Sequence, residues 1–252
     1  MTGIEPDWPA PATVLALSTT RQGGHSRAPF DSFNLAQHVG DDAAAVTANR
    51  ASLREQLPPG AAIQWLTQVH GRVVVEARRG AACPEADAVW TAEPGIACAV
   101  LTADCLPVLF CDRGGRRVAA AHAGWRGLLA GVLEATVAAL GVDPGQLLAW
   151  LGPAIGPAAF EVGGEVRVAY LAEARSGAEF ARVESCFLPR RGSEDRYSAD
   201  LCALARLRLQ QVGVSAIFGG GHCTWSDPDR FYSYRRDGRT GRMASLVMLR
   251  PA

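Results

Sequence analysis

Short apolar runs separated by turn residues follow one another along most of the chain, and their length is that of β-strands. The runs predicted to be strands are 14–19, 63–69, 73–76, 86–90, 96–101, 108–111, 118–121, 147–151 and 215–218. Pro107 lacks an amide hydrogen, so the run 108–111 is expected at a sheet edge or as a fresh strand start. A sheet-rich fold is therefore predicted.

Four segments have the apolar spacing of an amphipathic helix: 43–57, 128–140, 166–174 and 200–212. Asp42 is a suitable N-cap for the first of them. Gly141 is expected to end the second, and Ser198 is a candidate cap for the last. Asp237-Gly238 lies between the strand-like stretches FYSYRR and RMASLVML, a pattern typical of a β-hairpin. No repeat, low-complexity stretch or linker divides the chain, which predicts one mixed α/β (α+β) domain over residues 1–252.

Net charge and residue composition exclude several kinds of partner and reaction. The formal net charge is zero, which argues against a dedicated partner of nucleic acid or of a membrane surface. All 25 basic residues are arginine. The absence of lysine excludes Schiff-base chemistry and a Walker-type phosphate loop. An anion site in this chain must use arginine, backbone N–H groups or a metal.

The seven cysteines are odd in number and irregularly spaced, and the first residues lack the basic start of a signal peptide. We therefore expect a reduced, cytoplasmic protein. The longest apolar region, 95–111, is interrupted by Asp104 and Pro107 and is too short to span a bilayer.

Reactive side chains concentrate in one stretch, TADCLPVLFCDRGGRRVAAAHAGWRG, at 102–127. Cys105 and His122 lie at strand ends that a chain reversal would bring near each other, and His70 follows another predicted strand. Loops mounted on a rigid sheet are the usual place for such groups. The spacing of these three residues matches no short-range zinc pattern, and a free cysteine is most often a small buried apolar residue. From the residues alone, a metal site and ordinary packing both stay open.

Several long motifs resemble one family: QVHG, TADCLPVLFC, AAAHAGWRG, LGPAIGP, FEVGGEV and YSYRRDGRTGRMAS. It is the bacterial laccase-domain-containing family, also called YfiH or peptidoglycan editing factor, now described as zinc-dependent purine nucleoside phosphorylases. The resemblance covers essentially the whole chain. It implies a layered α/β/β/α sandwich, a zinc ion held by His70, Cys105 and His122, and an open fourth ligand position.

The same resemblance implies phosphorolysis of adenosine and inosine to free base and ribose 1-phosphate. It further implies adenosine deaminase and methylthioadenosine phosphorylase activities, and a homodimer. Zinc deaminases use a carboxylate that is not a ligand as proton shuttle, and Asp104, beside Cys105, is the candidate. An ordinary turn or cap role for Asp104 stays open.

Phosphorolysis requires an anion clamp, for which Arg21, Arg126 and Arg235 are candidates because a guanidinium suits bidentate contact with phosphate. Each of them could equally be a solvated surface charge. Candidate nucleoside contacts are Asn34, His38 and Gln68.

Of three rival interpretations, two stay open and the first is disfavoured by composition. A multicopper oxidase needs more histidines than the five present, although a single His2Cys site could load copper as an adventitious or alternative metal. A hydrolase would use Cys105 as nucleophile, consistent with the peptidoglycan-editing name and removal of serine from a UDP-MurNAc precursor. A binding module without enzymatic activity would tolerate loss of Cys105.

Overall fold

The computed structural model describes residues 3–190, 192 and 194–251. Its strands are β1 (Gly3–Ile4), β2 (Val14–Thr19), β3 (Ala62–Gln64), β4 (Val74–Glu76), β5 (Ala88–Thr91), β6 (Ile96–Thr102), β7 (Leu106–Asp112), β8 (Val118–Ala123), β9 (Leu147–Leu151), β10 (Glu161–Gly163), β11 (Phe187–Pro189), β12 (Arg196–Ala199), β13 (Ala216–Gly219) and β14 (Met243–Leu249). Its helices are α1 (Ala43–Glu55), α2 (Trp125–Leu129), α3 (Val132–Leu140), α4 (Gly164–Ala172), α5 (Gly177–Glu184), α6 (Leu201–Gln211) and α7 (Tyr234–Asp237). The predicted domain of residues 1–252 includes Met1, Thr2, Arg191, Ser193 and Ala252, which lie outside the described residues.

Two mixed sheets make up the centre of the fold. One has the strand order β1-β2-β14-β6-β3 and the other the order β13-β9-β7-β8-β5-β4. Their facing surfaces form an apolar layer that includes Val100 of β6, Val247 of β14 and Leu109 of β7. A smaller sheet, β10-β12-β11, lies outside this pair.

Helices cover the outer face of each large sheet. Leu53 of α1 packs against Ala99 and Leu101 on the outer side of β6. On the other sheet, α3 and α6 pack against Phe110 and neighbouring side chains of β7. Strands buried on both faces have continuous apolar sequences, and the apolar runs of β6 and β7 have this origin. The mixed α/β fold with α/β/β/α layers is confirmed.

Helix α1 has the predicted cap, since the Asp42 side chain accepts a hydrogen bond from the Ala44 amide. The predicted helix 128–140 is instead two helices, α2 and α3, because Gly131 has a φ of 92° and interrupts the chain of helical hydrogen bonds. Gly141 does end α3. The N-cap of α6 is Asp200 and not Ser198, because the Asp200 carboxylate accepts from the Ala203 amide while Ser198 belongs to β12.

The predicted C-terminal hairpin is wrong. The Ser233 hydroxyl accepts from the Arg236 amide and begins the short helix α7, which ends at Gly238. Strand β14 then pairs with β2 and β6, both distant in sequence, instead of with the segment before it. A strand that is buried on both faces is stabilised by two such neighbours far more than by a solvated hairpin partner.

Two strand predictions also differ in detail. Strand β7 lies inside its sheet, between β8 and β9, so Pro107 marks a strand start and not an edge. The predicted strand 63–69 is shorter in the structure, where β3 is limited to Ala62–Gln64 and Thr67 forms an isolated bridge with Glu85. The backbone leaves the sheet there and delivers His70.

Candidate metal centre and its cavity

Strand pairing brings three predicted ligands together. Cys105 occupies the turn between β6 and β7, after Asp104, whose φ is 90°. Because β7 and β8 are antiparallel with Pro107 opposite His122, the start of β7 lies beside the end of β8. His70 approaches from the loop before β4 with a φ of 60°. Three segments distant in sequence therefore meet at one sheet end.

The ligand atoms of His70, Cys105 and His122 all lie within 4.8 Å of one another. The Cys105 Sγ is 3.7 Å from the His70 Nε2. A tetrahedral zinc ion with Zn–S near 2.3 Å and Zn–N near 2.0–2.1 Å separates sulfur from nitrogen by roughly 3.6 Å. Two imidazole nitrogens and one thiolate are also ligand types that zinc accepts. The residues present therefore fit a metal ion of this kind.

A buried carboxylate organises the group. Asp87 Oδ1 lies 2.8 Å from His122 Nδ1 and accepts from the His70 backbone amide at 2.9 Å. The other oxygen, Oδ2, accepts from the Gly71 amide at 2.6 Å. Since a carboxylate only accepts, the His122 Nδ1 carries the proton, and its Nε2 is available as a ligand. Burial acts to raise the pKa of Asp87, but these hydrogen bonds outweigh it and the pKa is lowered.

Charges within the group favour a thiolate. Burial acts to raise the pKa of Cys105, but the charge and hydrogen bond of His122, with those of His70, outweigh it and the pKa is lowered. Burial acts to lower the pKa of His122, and the Cys105 charge with the Asp87 hydrogen bond reverses that shift and raises it. Without a metal, both shifts favour a thiolate on Cys105 beside a protonated His122 imidazole. A thiolate is the form of cysteine that binds metals.

Gly124 permits this close packing. A Cβ at this position would lie 2.9 Å from Cys105 Sγ and 2.9 Å from His70 Cδ2. The φ of Gly124 is −63°, which any residue can adopt, so the requirement for glycine here is steric.

The three candidate ligands open into a cavity of about 360 Å³, within the size range of small-molecule sites. Its lining residues are His38, Leu66, Gln68, His70, Leu101, Thr102, Ala103, Cys105, His122, Tyr234 and Arg242. Of the predicted substrate contacts, His38 and Gln68 are in this wall. Gln68 uses its amide to exchange hydrogen bonds of 2.8 and 2.7 Å with the Leu101 backbone, which holds the end of β6 in place.

Other predicted site residues lie outside the cavity lining. Arg21 donates to the carbonyls of Asp31 and Pro228 and to the Asp31 carboxylate. Arg126 is exposed and stacks on its neighbour Trp125 at 4.4 Å. These two guanidinium groups are thus engaged within the protein or lie at its surface.

Two more of the predicted residues, Arg235 and Asn34, support loops. Arg235 donates from Nη1 to the Glu161 carbonyl and stacks on Phe160. Asn34 is buried and bonds to Ala36, Asp41 and the Arg242 amide.

Asp104 has both oxygens occupied. Its Oδ1 accepts from the Thr224 hydroxyl at 2.6 Å, and its Oδ2 accepts from the Arg235 amide at 2.7 Å. The structure therefore shows Asp104 joining the β6–β7 turn to two distant loops. The proton-shuttle role stays a prediction.

Sequence reasoning missed Asp87, Tyr234 and Arg242. Asp87 had a recognisable signal, an acid inside an apolar strand run, which is costly unless it is hydrogen-bonded. Tyr234 and Arg242 had none, because both belong to a segment predicted to be a hairpin.

The fold and the site together define a layered α/β protein with a His-Cys-His group that could hold a metal in a cavity. A family model described as multi-copper polyphenol oxidoreductase laccase matches residues 15–250, and the chain belongs to that family. Among the described residues, one cluster of histidine, cysteine or acidic side chains has the spacing that could hold a metal ion.

Relatives over the whole length carry a different name. A Pseudomonas aeruginosa protein named purine nucleoside phosphorylase is 59% identical over 246 residues, covering 98% of each chain. Escherichia coli YfiH, also named purine nucleoside phosphorylase, is 51% identical over 248 residues, with 98% of each chain covered. The resemblance to YfiH proteins is thereby confirmed.

Solved structures of similar proteins have the same fold. The crystal structure of Neisseria meningitidis protein NMB0706 matches with a TM-score of 0.92 and 48% identity over 100% of each chain. YlmD from Geobacillus stearothermophilus matches with a TM-score of 0.89 and 32% identity, covering 100% of this chain and 97% of that one. Within the part of the chain that the structure describes, no helix combines the length and apolar character needed to cross a membrane.

Proposed function

We propose that the chain is a zinc-dependent purine nucleoside phosphorylase that converts adenosine and inosine to free base and ribose 1-phosphate. The observation that carries the proposal is the His70, Cys105 and His122 group opening into a cavity of small-molecule size. The names of the relatives at 59% and 51% identity support the reaction. The unpaired state of the seven cysteines supports a cytoplasmic location.

His70, Cys105 and His122 would hold the zinc ion. Two neutral imidazoles and one thiolate leave such an ion with net positive charge, and when bound it supplies a Lewis acid with an open ligand position. Copper binds the same donor set at least as strongly, so copper found in a preparation would not assign the metal.

The cavity walls suit a purine nucleoside. Leu66, Leu101 and Ala103 provide apolar contact, and the Tyr234 ring, 61% exposed, offers a stacking face. Burial, with the charges of Arg242 and Arg50, lowers the pKa of His38. A neutral His38 imidazole can donate one hydrogen bond and accept another, which suits a heteroaromatic base.

Adenosine deamination and methylthioadenosine phosphorolysis are further activities that we propose for the same site. Both substrates share the purine ring and ribose that this cavity would enclose. A homodimer is part of the same proposal, resting on the resemblance.

One observation favours a second candidate function. Cys105, His122 and Asp87 form a thiolate, imidazole and carboxylate series of the kind used by cysteine hydrolases. Such an enzyme could remove serine from a muramyl precursor. A bound metal would engage the Cys105 sulfur, so the two mechanisms exclude each other in the same molecule.

The deciding experiment uses purified protein with its metal content quantified, incubated with inosine with and without phosphate. We expect base release only with phosphate. Cys105→Ala should lose its metal, and its activity should fall at least about a hundred-fold, because removing a ligand costs more than removing a ligand's hydrogen-bond partner. Cys83→Ser, at an exposed position, is the matched control and should behave as wild type.

Base release that ignores phosphate would exclude the phosphorylase. Hydrolysis of a muramyl-serine substrate by chelator-treated protein, with nucleosides untouched, would instead establish the cysteine hydrolase. Full nucleoside activity in metal-free Cys105→Ala would exclude the metal site.

A further inference from the structure

Arg242 occupies a distinctive place in the cavity wall. It lies immediately before β14, and its backbone amide donates to the buried Asn34 side chain at 3.0 Å. Its Nη1 donates to the carbonyls of Thr240 and Gly241, each at 2.9 Å. One edge of the guanidinium is thereby fixed in position, which prepares the group for a ligand at low entropic cost.

The guanidinium has no carboxylate partner. None of the ion pairs among the described residues includes Arg242, although it is half-buried and lines the cavity. Both oxygens of nearby Asp104 are already hydrogen-bonded to Thr224 and Arg235. A partly desolvated cation without a paired anion is costly, and an anionic ligand would relieve that cost.

The charges of Arg242 and Arg50 act on this wall. Burial lowers the pKa of His38, and the charges of Arg242 and Arg50 add to the shift. Burial lowers the pKa of Arg242, and nearby negative charges, that of the Cys105 thiolate first among them, oppose this shift. A metal bound to Cys105 would neutralise that thiolate and leave Arg242 facing the cavity as a net positive group.

The other candidate arginines are less suitable than Arg242 for binding phosphate in this cavity. The chain has no lysine, so arginine must supply any side-chain cation for phosphate. Arg21, Arg126 and Arg235 lie outside the cavity lining. Arg242 is the arginine in that lining, and its fork can bind two phosphate oxygens.

We propose that Arg242 binds the inorganic phosphate that attacks the nucleoside in this cavity. The inference rests on the proposed phosphorylase function and names the residue that holds its second substrate.

The first test is phosphate binding without nucleoside, by titration calorimetry with inorganic phosphate on zinc-loaded and metal-free protein. We expect Arg242→Gln to raise the phosphate Kd about ten- to hundred-fold in both forms, which is the loss of affinity expected when charge-assisted hydrogen bonds are removed. Arg242→Lys keeps the charge and loses the planar guanidinium, so its phosphate Kd should lie between those of wild type and Arg242→Gln. Arg239→Gln is the matched control, because Arg239 is an exposed arginine outside the cavity lining and stacks on Phe30. Unchanged binding in Arg242→Gln, or binding that needs only the metal, would overturn the proposal.

The second test is steady-state phosphorolysis of inosine. In Arg242→Gln, the phosphate KM should rise about ten- to hundred-fold, while the inosine KM stays within about two-fold. Zinc content and melting temperature equal to wild type would show that the variant has folded. If wild-type protein releases base without phosphate, the proposed function fails. The calorimetric titration then decides separately whether Arg242 binds phosphate. A phosphate KM equal to that of wild type would count against Arg242.

Discussion

Asp87 Oδ1 lies 2.8 Å from His122 Nδ1 and 2.9 Å from the backbone nitrogen of His70, so one carboxylate oxygen orients two of the three candidate metal ligands. Asp87 is completely buried at the start of the strand pair β5–β8. A partner of this kind selects the histidine tautomer and limits the motion of the ring.

Replacing Asp87 with asparagine should weaken zinc binding about 10- to 100-fold, because the His122 tautomer is no longer imposed. Competition with a chromophoric chelator measures this affinity. Asp112→Asn is the matched control: Asp112 is also buried and accepts from two backbone amides, at the other end of β7. It should lose stability and keep its zinc affinity. Equal zinc affinity in both variants would show that Asp87 has only a structural role.

Introducing a methyl group at Gly124 should disturb the ligands without straining the backbone. In Gly124→Ala the new Cβ would lie 2.9 Å from both Cys105 Sγ and His70 Cδ2, so at least one ligand must move. We expect zinc affinity to fall at least about ten-fold, a change comparable to losing a ligand's hydrogen-bond partner. Gly177→Ala, at a position with no atom within 4 Å, is the control and should leave zinc affinity unchanged. A fully loaded Gly124→Ala protein of wild-type affinity would contradict the packing described for this site.

Zinc binding should release a proton at neutral pH, and the proton should come from His122. Burial acts to raise the pKa of Cys105, but the neighbouring histidines lower it by more, which favours the thiolate before metal binds. The pKa of His122 is raised despite burial, which favours a protonated imidazole that must lose its proton when metal binds. Affinity should therefore increase as pH rises toward the pKa of His122, and decrease more steeply at acid pH once the Cys105 thiolate is protonated as well.

Calorimetric zinc titrations in buffers of different ionisation enthalpy count the released protons. We expect about one proton at pH 7 for wild-type protein. A count near zero would mean that His122 is neutral in the metal-free protein.

Asp104→Asn separates a proton shuttle from a structural carboxylate. If the carboxylate joins the β6–β7 turn to Thr224 and Arg235, the variant should lose about 1–3 kcal/mol of unfolding free energy and keep its activity per bound metal. Thr224→Val removes one of the same hydrogen bonds without touching the carboxylate and should cost a comparable amount. Urea unfolding and deaminase assays on both variants provide the measurements. Loss of deamination in Asp104→Asn alone, at unchanged stability, would establish the shuttle.

Local pattern was sufficient for much of the fold. Strands β6 and β7 are buried on both faces, so their apolar runs are continuous, and the caps Asp42 and Gly141 act on residues within one helical turn. These signals depend on neighbours in sequence, which is why they could be predicted from the residues alone. The ligand trio came from family resemblance, because its members are 17 to 52 residues apart and share no short spacing.

Only the tertiary structure decided what surrounds that trio. Strand β14 pairs with β2, more than two hundred residues away, and this pairing replaces the predicted hairpin and places Arg242 in the cavity wall. Asp87 contacts His122 because β5 and β8 share a register, and Arg21 and Asn34 find local partners that keep them out of the cavity lining. The sequence by itself determined which residues are apolar, which cap and which can ionise. Which ionisable groups face one another depends on long-range strand register, because a hydrogen bond across a sheet leaves no periodic trace in the chain.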